Sequence, residues 1–246
     1  IVYENNLVIG KANKYLLPFA KKIFVSYKNL EGIPTQYEKK IYEIGNIIDK
    51  KIIDMPKMET NIHKIEKMNI LILGGSQAAK IFAEILPKVF QRCSTENIPI
   101  KIYQHCLKEQ NDELTAFYKN KKIDFELFNF SNNLIDYFIK ANLAITRSGS
   151  SILAELTNAN VPFISVPLPS SADNHQLKNA NFYQKKGFGV LIEEKDLNDK
   201  LFYFIKSIYE NNSLLNNIKL NQRQYSDKNV YTNINKEIKE ILNEKN

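Results

Sequence analysis

The stretch Ile70-Leu71-Ile72-Leu73-Gly74-Gly75-Ser76-Gln77-Ala78-Ala79 decides the fold. Its run of four apolar residues predicts a strand, and the glycine pair that follows predicts a tight turn. Apolar residues then recur at helical spacing, at positions 81, 82, 85, 86 and 89. A strand, a turn and a helix in this order form the repeating unit of parallel α/β sheets.

Short apolar runs alternate with helical patterns through the rest of the chain, which predicts a parallel sheet covered by helices. Further strands are predicted at residues 98–103, 125–130, 143–146, 163–166 and 189–192. Helices are predicted near residues 108–120, 133–140, 150–158, 175–186 and 196–209. Residues 69–225 are therefore predicted to form one complete Rossmann-like domain. A helix near 232–244, within residues 226–246, is expected to close it.

Residues 1–50 have a different pattern. A helix is predicted at 13–20, with short strands at 23–25 and 40–44, which are too few elements to make a sheet. These residues are expected to be the tail end of a second domain. Residues 51–68 are charged, contain Pro56 and lack steady periodicity, which predicts a linker.

Composition excludes several classes of protein. The 246 residues include no apolar run near the roughly 18 residues that a membrane-spanning helix needs. The net charge is +7, but the basic residues are nearly all dispersed lysines, and no cluster of arginines beside aromatic residues appears, which argues against nucleic-acid binding. Two cysteines are too few for a disulfide framework, so a reducing cytoplasm is expected.

No metal site is expected from the sequence. His63, His105 and His175 are far apart, and Cys93 and Cys106 lack the spacing of metal ligands.

Three polar loops follow predicted strands, and each has a functional and a structural interpretation. Gly74, Gly75 and Ser76 open a helix, where backbone N–H groups favour a diphosphate, although such glycines also serve tight packing. The loop at 146–151 precedes Glu155, which could accept ribose hydroxyls or be a solvated helix carboxylate. The loop at 166–176 suits sugar hydroxyls or is a surface turn. The position of all three at strand carboxyl ends favours a ligand site.

The motifs resemble the MurG family of glycosyltransferases in order and spacing along essentially the whole chain. The matching segments are Leu73–Ala79, Thr146–Leu156, Val161–Pro169, Asp173–Ala180, Tyr3–Asn6, Gly10–Lys14 and Gly45-Asn46. The resemblance implies an inverting enzyme of the GT-B type, with two Rossmann-like domains and without a metal or another cofactor. It implies transfer of N-acetylglucosamine from UDP to lipid I, giving lipid II, by a protein on the inner face of the cytoplasmic membrane.

The resemblance also implies roles for individual residues. Gly74, Gly75 and Ser76 would contact the diphosphate, and the backbone around Ser131 would contact the uracil. The remaining residues with an implied substrate contact are Asn6 facing the cleft, Ser150 and Ser151 at the nucleotide, Glu155 at the ribose, and His175 and Gln176 at the donor sugar.

The chain departs from the family pattern in three places. The family's first glycine-rich loop, with a histidine that is a candidate base, is absent, so no catalytic base is assigned and a separate chain is one possible source of it. Asp49 stands where the family has an arginine, and an acidic residue there would repel a diphosphate. Ser151 and Ile152 replace the family's Gly-Ala-x-Thr pattern, which removes one hydroxyl donor.

The family binds membranes through an apolar patch ringed by basic residues. Its expected edge here consists of Lys11, Lys14, Leu16, Leu17, Phe19, Lys21 and Lys22. An ordinary helix with one buried face is the alternative. At the level of function, the alternatives are a UDP-sugar-binding module or inactive remnant without catalysis, and a UDP-sugar epimerase.

Overall fold

The computed structural model describes residues 1–57, 65–131 and 133–243, and for residues 76–79 the backbone alone. The strands are β1 Val2–Glu4, β2 Ile23–Val25, β3 Ile41–Glu43, β4 Met68–Leu73, β5 Ile100–His105, β6 Asp124–Phe128, β7 Leu143–Arg147, β8 Phe163–Val166 and β9 Val190–Leu191. The α-helices are α1 Lys11–Leu16, α2 Lys50–Ile53, α3 Ser76–Thr95, α4 Asn111–Asn120, α5 Leu134–Lys140, α6 Ser150–Asn158, α7 His175–Lys185, α8 Leu197–Glu210, α9 Ser213–Arg223 and α10 Val230–Asn243.

The larger sheet has six parallel strands in the order β6-β5-β4-β7-β8-β9. Its central strand β4 is apolar because helices cover both faces, and Ile70, Leu71 and Ile72 are fully buried. The strand order reverses direction between β4 and β7, which is the position where open α/β sheets bind ligands. The prediction of a Rossmann-like α/β domain is confirmed.

Most predicted elements lie within two residues of the observed ones, and two differences have physical explanations. Strand β5 begins at Ile100 rather than at 98, because Asn97 takes a left-handed conformation and the Ile98 N–H caps the end of α3 by donating to the Cys93 carbonyl. Helix α9 was not predicted. It lies against α6 and α8, and its apolar stripe is limited to a few residues such as Leu215 and Ile218.

The prediction that residues 1–50 hold too few elements for a sheet is wrong. Strands β1, β2 and β3 form a three-stranded parallel sheet, in which Val2 pairs with Ile23 and Ile23 with Ile41. Strands of three residues suffice here because both faces are covered. One face packs on Leu17 and its neighbours, and the other packs on α10.

Helix α10 contacts the smaller sheet, whereas the sequence predicts that this helix closes the larger domain. Val230 and Ile234 pack against Phe24 and Ile44. The ammonium of Lys22, which is nearly buried, lies 2.6 Å from both Glu237 and Glu240. The chain therefore passes from the smaller sheet to the larger one and later returns to the smaller sheet. These two connections, which we call the crossings, join the two sheets.

The first crossing includes the start of the predicted linker at 51–68. Helix α2 lies in it and buries Ile52 against the larger unit, so this part is packed rather than extended. Residues 58–64 of the predicted linker lie outside the described residues. Over the described parts of the chain, no helix is both long and apolar enough to cross a membrane.

Candidate functional site

The loops at the carboxyl edge of the larger sheet surround one cavity of about 420 Å³. The residues that line it are Leu73, Gly74, Gly75, His105, Phe128, Phe130, Ser131, Leu134, Thr146, Arg147, Gly149, Ile152 and Gln176. Five consecutive strands of the sheet, from β6 to β8, contribute a loop or a last residue to this edge. The structure therefore brings Gly74, Gly75, Ser131 and Gln176 together, although they are distant in sequence.

The loop after β4 leaves room for a ligand. Gly75 has a φ of −69°, and a Cβ atom placed there would meet nothing within 4 Å. Neither backbone conformation nor packing therefore requires glycine at this position, which weakens the structural interpretation of the loop. Ser76 begins the 20-residue helix α3, whose free N–H groups and dipole favour an anion. The Ser76 side chain lies outside the described part of the structure.

The two serines that open α6 contact the smaller domain. The buried Ser150 hydroxyl donates to the Asn5 carbonyl, and the Ser151 hydroxyl accepts a hydrogen bond of 3.1 Å from the Asn5 amide. In this arrangement Ser150 would reach a ligand only through its backbone, because its hydroxyl is already engaged. The contact instead joins the two domains at the start of α6.

Glu155 lies one turn further along α6 and does not line the cavity. Burial, together with the negative charge of Asp49, raises the pKa of the Glu155 carboxyl to about 7. No described residue donates a hydrogen bond to this carboxylate. Asp49 itself caps α2 by accepting the Lys51 N–H at 2.8 Å. Asp49 thus has a structural role as a helix cap, and its negative charge contributes to the raised pKa of Glu155.

The loop after β8 places His175 and Gln176 differently. The side-chain amide oxygen of Gln176 accepts the Leu168 N–H at 3.0 Å, and Gln176 borders the cavity. His175 is half-exposed, lies 2.8 Å from the Ala172 carbonyl through Nδ1, and does not line the cavity. Asp173 and Asn174 both have left-handed backbone angles, with φ of 51° and 54°, an unusual conformation for two successive residues other than glycine.

Asn6 approaches the larger domain from the smaller one. Its side-chain oxygen accepts a hydrogen bond of 3.2 Å from the amide of Asn179 on α7. The buried carboxylate of Glu4 holds Asn6 in place by accepting its backbone and side-chain N–H groups, together with Gly10 N–H and the Asn13 amide. Asn6 therefore lies at the contact between the two domains, in a position fixed by hydrogen bonds.

Sequence reasoning did not assign a role to three residues at this site. Arg147 is buried, forms an ion pair with Glu194 and lines the cavity. Its Nε atom has no partner within the described residues. Glu4 and Asn179 fix Asn6 as described above. All three lie inside the sequence segments that match the MurG family, and this position could have identified them as candidate site residues.

The expected membrane-facing residues divide into two groups. Leu17 is fully buried, and Lys22 is buried in its ion pairs with α10, so neither belongs to a surface patch. Phe19 is 85% exposed and Leu16 is 50% exposed. They lie with Tyr15, Lys11, Lys14 and Lys21 on one exposed stretch, which we call the α1 patch.

A metal ion has no candidate site in the described ranges, where no group of three His, Cys, Asp or Glu side chains is suitably placed. His63 lies outside those ranges.

Comparison with known proteins identifies the family. The profile of the glycosyltransferase family 28 C-terminal domain matches residues 69–242. A UDP-N-acetylglucosamine--N-acetylmuramyl-(pentapeptide) pyrophosphoryl-undecaprenol N-acetylglucosamine transferase from Pelagibacter ubique (strain HTCC1062) is 34% identical over 99% of this chain and 68% of its own length. The transferase of the same name from Rickettsia bellii (strain RML369-C) is 32% identical over 90% of this chain and 63% of its own length.

Solved structures agree in fold. The crystal structure of Acinetobacter baumannii MurG superposes with a TM-score of 0.75 at 24% identity, over 97% of this chain and 66% of that one. S. aureus MnaA in complex with UDP superposes with a TM-score of 0.66 at 18% identity, over 95% of this chain and 64% of that one. This chain thus spans about two thirds of the length of its relatives. It belongs to the MurG family of glycosyltransferases, and residues 69–242 are its family 28 C-terminal domain.

Proposed function

We propose that this chain provides the UDP-N-acetylglucosamine site of a transferase that moves N-acetylglucosamine from UDP to lipid I, giving lipid II. The observation that carries the proposal is the cavity at the carboxyl edge of the larger sheet, where three polar loops converge. The relatives in Pelagibacter and Rickettsia are named for this transfer. Residues 69–225 would bind the donor, and residues 1–50 would belong to the domain that faces the acceptor.

The order of the strands supports a specific placement of the uracil, the diphosphate and the sugar of the donor along the cavity. Ser131, at the β6 side, would contact the uracil, and Gly74, Gly75 and Ser76 in the middle would contact the diphosphate. His175 and Gln176, at the β8 side, would contact the sugar. The N–H groups at the start of α6 would face the diphosphate, where negative charge develops when UDP leaves. The Arg147 guanidinium, which is paired with Glu194, borders the same cavity.

Glu155 is proposed to accept the ribose hydroxyls. The carboxylate has no hydrogen-bond donor among the described residues, and burial disfavours its charge. Two hydroxyl donors would stabilise the ionised form. Because the pKa of the unliganded carboxyl is raised to about 7, binding through the carboxylate should strengthen between pH 6 and pH 8.

Catalysis is proposed to need a segment that carries the base, either on the same polypeptide or on a separate one. We assign the role of this base to no residue of the described site. Asn6 faces the cleft from the side where the acceptor would bind. If the chain binds the donor but shows no turnover even with a supplied front segment, it is a binding module instead.

Attachment to the inner face of the cytoplasmic membrane is proposed for the α1 patch. Phe19, Leu16 and Tyr15 expose apolar surface beside Lys11, Lys14 and Lys21. Apolar insertion together with lysines near anionic headgroups gives reversible membrane association. Co-sedimentation with anionic and neutral vesicles, using Phe19→Ser, tests this part of the proposal.

Calorimetric titration of the purified chain with UDP-N-acetylglucosamine tests the donor site. We expect saturable binding that prefers this sugar to UDP-N-acetylgalactosamine. Glu155→Ala should weaken it by at least about tenfold, because two hydrogen bonds to a buried carboxylate are lost. Glu210→Ala, an exposed glutamate on α8, is the matched control and should bind normally. A folded chain that binds neither sugar nucleotide would refute the proposal.

A further inference from the structure

Tyr27 is a buried tyrosine of the smaller domain whose hydroxyl lies between two residues of the larger one. It follows strand β2 by two residues. Its hydroxyl oxygen lies 2.7 Å from the hydroxyl oxygen of Tyr183 on α7, and 3.4 Å from Oγ of Ser150 at the start of α6. No role was expected for Tyr27 from the sequence, and it does not line the cavity at the larger sheet.

The last acceptor of this group fixes the direction of every hydrogen bond in it. The Ser150 hydroxyl has one hydrogen and donates it to the Asn5 backbone carbonyl, which can only accept. Ser150 Oγ is therefore the acceptor in its contact with Tyr27, and the Tyr27 oxygen in turn accepts from Tyr183. Burial raises the pKa of Tyr27 to about 12, so its hydroxyl keeps this hydrogen at neutral pH. We call these bonds, which run from Tyr183 through Tyr27 and Ser150 to Asn5, the hydroxyl chain.

The hydroxyl chain crosses the boundary between the domains three times. Tyr183 and Ser150 belong to the larger domain. Tyr27 and Asn5 belong to the smaller one. Aromatic packing surrounds the first bond, since the Tyr27 ring centre lies 4.8 Å from that of Phe182 and 6.4 Å from that of Tyr183. Ser150 is the first residue of α6, so the hydroxyl chain holds the turn whose N–H groups would face the diphosphate of the donor.

We infer that Tyr27 is a positioning residue for the donor site, and that its hydroxyl holds the start of α6 against the smaller domain in the orientation that receives the diphosphate. Tyr27 acts through Ser150 and contacts no part of the donor. Without the Tyr27 hydroxyl, the start of α6 keeps only its bonds to Asn5, and donor binding must supply the lost order. The inference rests on the proposed function, which places a diphosphate at this turn, and adds a residue outside the cavity.

Two conservative substitutions separate the two bonds of Tyr27. In Tyr27→Phe both bonds are lost, and the buried Tyr183 hydroxyl keeps its hydrogen without an acceptor. In Tyr183→Phe only the bond between the two rings is lost, and Tyr27 still donates to Ser150. In the double variant both ring hydroxyls are absent, so no phenolic donor is left unsatisfied. Phenylalanine retains the packing of either ring, so each variant should fold.

Calorimetric titration with UDP-N-acetylglucosamine and urea unfolding followed by circular dichroism should rank these variants differently. Donor affinity should fall about three- to tenfold in Tyr27→Phe and in the double variant, and stay within about twofold in Tyr183→Phe, because it follows the bond to Ser150. The urea midpoint should be lowest in Tyr27→Phe and recover in the double variant, because it follows the unsatisfied Tyr183 hydroxyl. Tyr203→Phe, at an exposed tyrosine of α8, is the matched control and should change neither quantity.

The outcomes separate failure of this inference from failure of the proposed function. Donor affinity that recovers together with the urea midpoint in the double variant would mean that Tyr27 acts only through stability, and would overturn the inference. Unchanged affinity in Tyr27→Phe, or an equal loss in Tyr183→Phe, would overturn it as well. Absence of donor binding by the folded, unaltered chain would overturn the proposed function itself, on which this inference rests.

Discussion

Replacement of Asp227 by asparagine should destabilise the fold strongly, because this buried carboxylate joins the two crossings between the sheets. Asp227 Oδ1 accepts Asn46 N–H at 2.8 Å and the Tyr225 hydroxyl at 3.1 Å. Oδ2 accepts the Asn158 amide at 2.7 Å, and the Asp227 N–H donates back to the Asn158 side-chain oxygen at 3.0 Å. Segments from the smaller sheet, from α6 and from the start of α10 therefore meet at one residue.

The expected loss in the free energy of unfolding follows from the hydrogen-bond partners that no longer match. In Asp227→Asn one carboxylate oxygen becomes an NH₂ group, and if the other oxygen keeps the Asn46 N–H, the NH₂ faces the Asn158 amide donor. The Asn158 amide cannot rotate without losing its bonds to Ala154 and to the Asp227 backbone. A lost charge-assisted hydrogen bond costs about 1.5–3 kcal/mol, and the donor left unsatisfied costs about 1–3 kcal/mol. These costs overlap, so we expect a loss of about 2–4 kcal/mol.

Urea unfolding followed by circular dichroism measures this loss. Circular dichroism is suited to the chain because it has no tryptophan. Asp54→Asn is the matched control, since Asp54 is exposed and should change the free energy of unfolding by less than about 0.5 kcal/mol. If Asp227→Asn unfolds within that same range, the carboxylate does not hold the crossings together and the reasoning fails.

Three further predictions concern Glu155, Gly45 and Gly75. The pKa of Glu155 is raised from 4.5 to about 7, so the folded chain holds a proton that the unfolded chain releases, and the contribution of this group to stability is lost as pH rises through 7. Glu155→Gln should therefore be more stabilising, relative to the unaltered chain, at pH 8 than at pH 5, by about 1–3 kcal/mol; an equal effect at both pH values would contradict the raised pKa. Gly45 has a φ of +94°, and a Cβ there would lie 2.7 Å from Asp227 Oδ1, so Gly45→Ala should lower the free energy of unfolding by about 1–3 kcal/mol. A Gly45→Ala variant as stable as the unaltered chain would argue against this close approach to Asp227. Gly75 lies in open space with a φ of −69°, so Gly75→Ala should leave the free energy of unfolding nearly unchanged but weaken UDP binding.

The elements of the larger sheet could be predicted because their signal is local. Four-residue apolar runs such as the one at 70–73, and the helical spacing after them, are set by neighbouring residues. The three polar loops at the carboxyl edge could be predicted for the same reason, since each directly follows a strand. Boundaries were less accurate where a cap decides them, as at Asn97 and Ile98, because a left-handed residue leaves little trace in apolar periodicity.

The smaller sheet and the state of the site residues could not be predicted in this way. Three short strands form a sheet only because α10, nearly two hundred residues later, covers one face and pairs with Lys22. The hydroxyl of Ser150 looks free in sequence, but it is engaged by Asn5 from the other domain. Such contacts join residues more than a hundred positions apart.

The sequence by itself determined the parallel α/β sheet, the loops at its carboxyl edge and the family motifs, because periodicity and turn chemistry act over a few residues. Only the tertiary structure decided which loop residues share the cavity and that Asp227 joins both crossings. These features depend on burial and on hydrogen-bond partners. Both arise when distant segments pack together, so no local pattern specifies them.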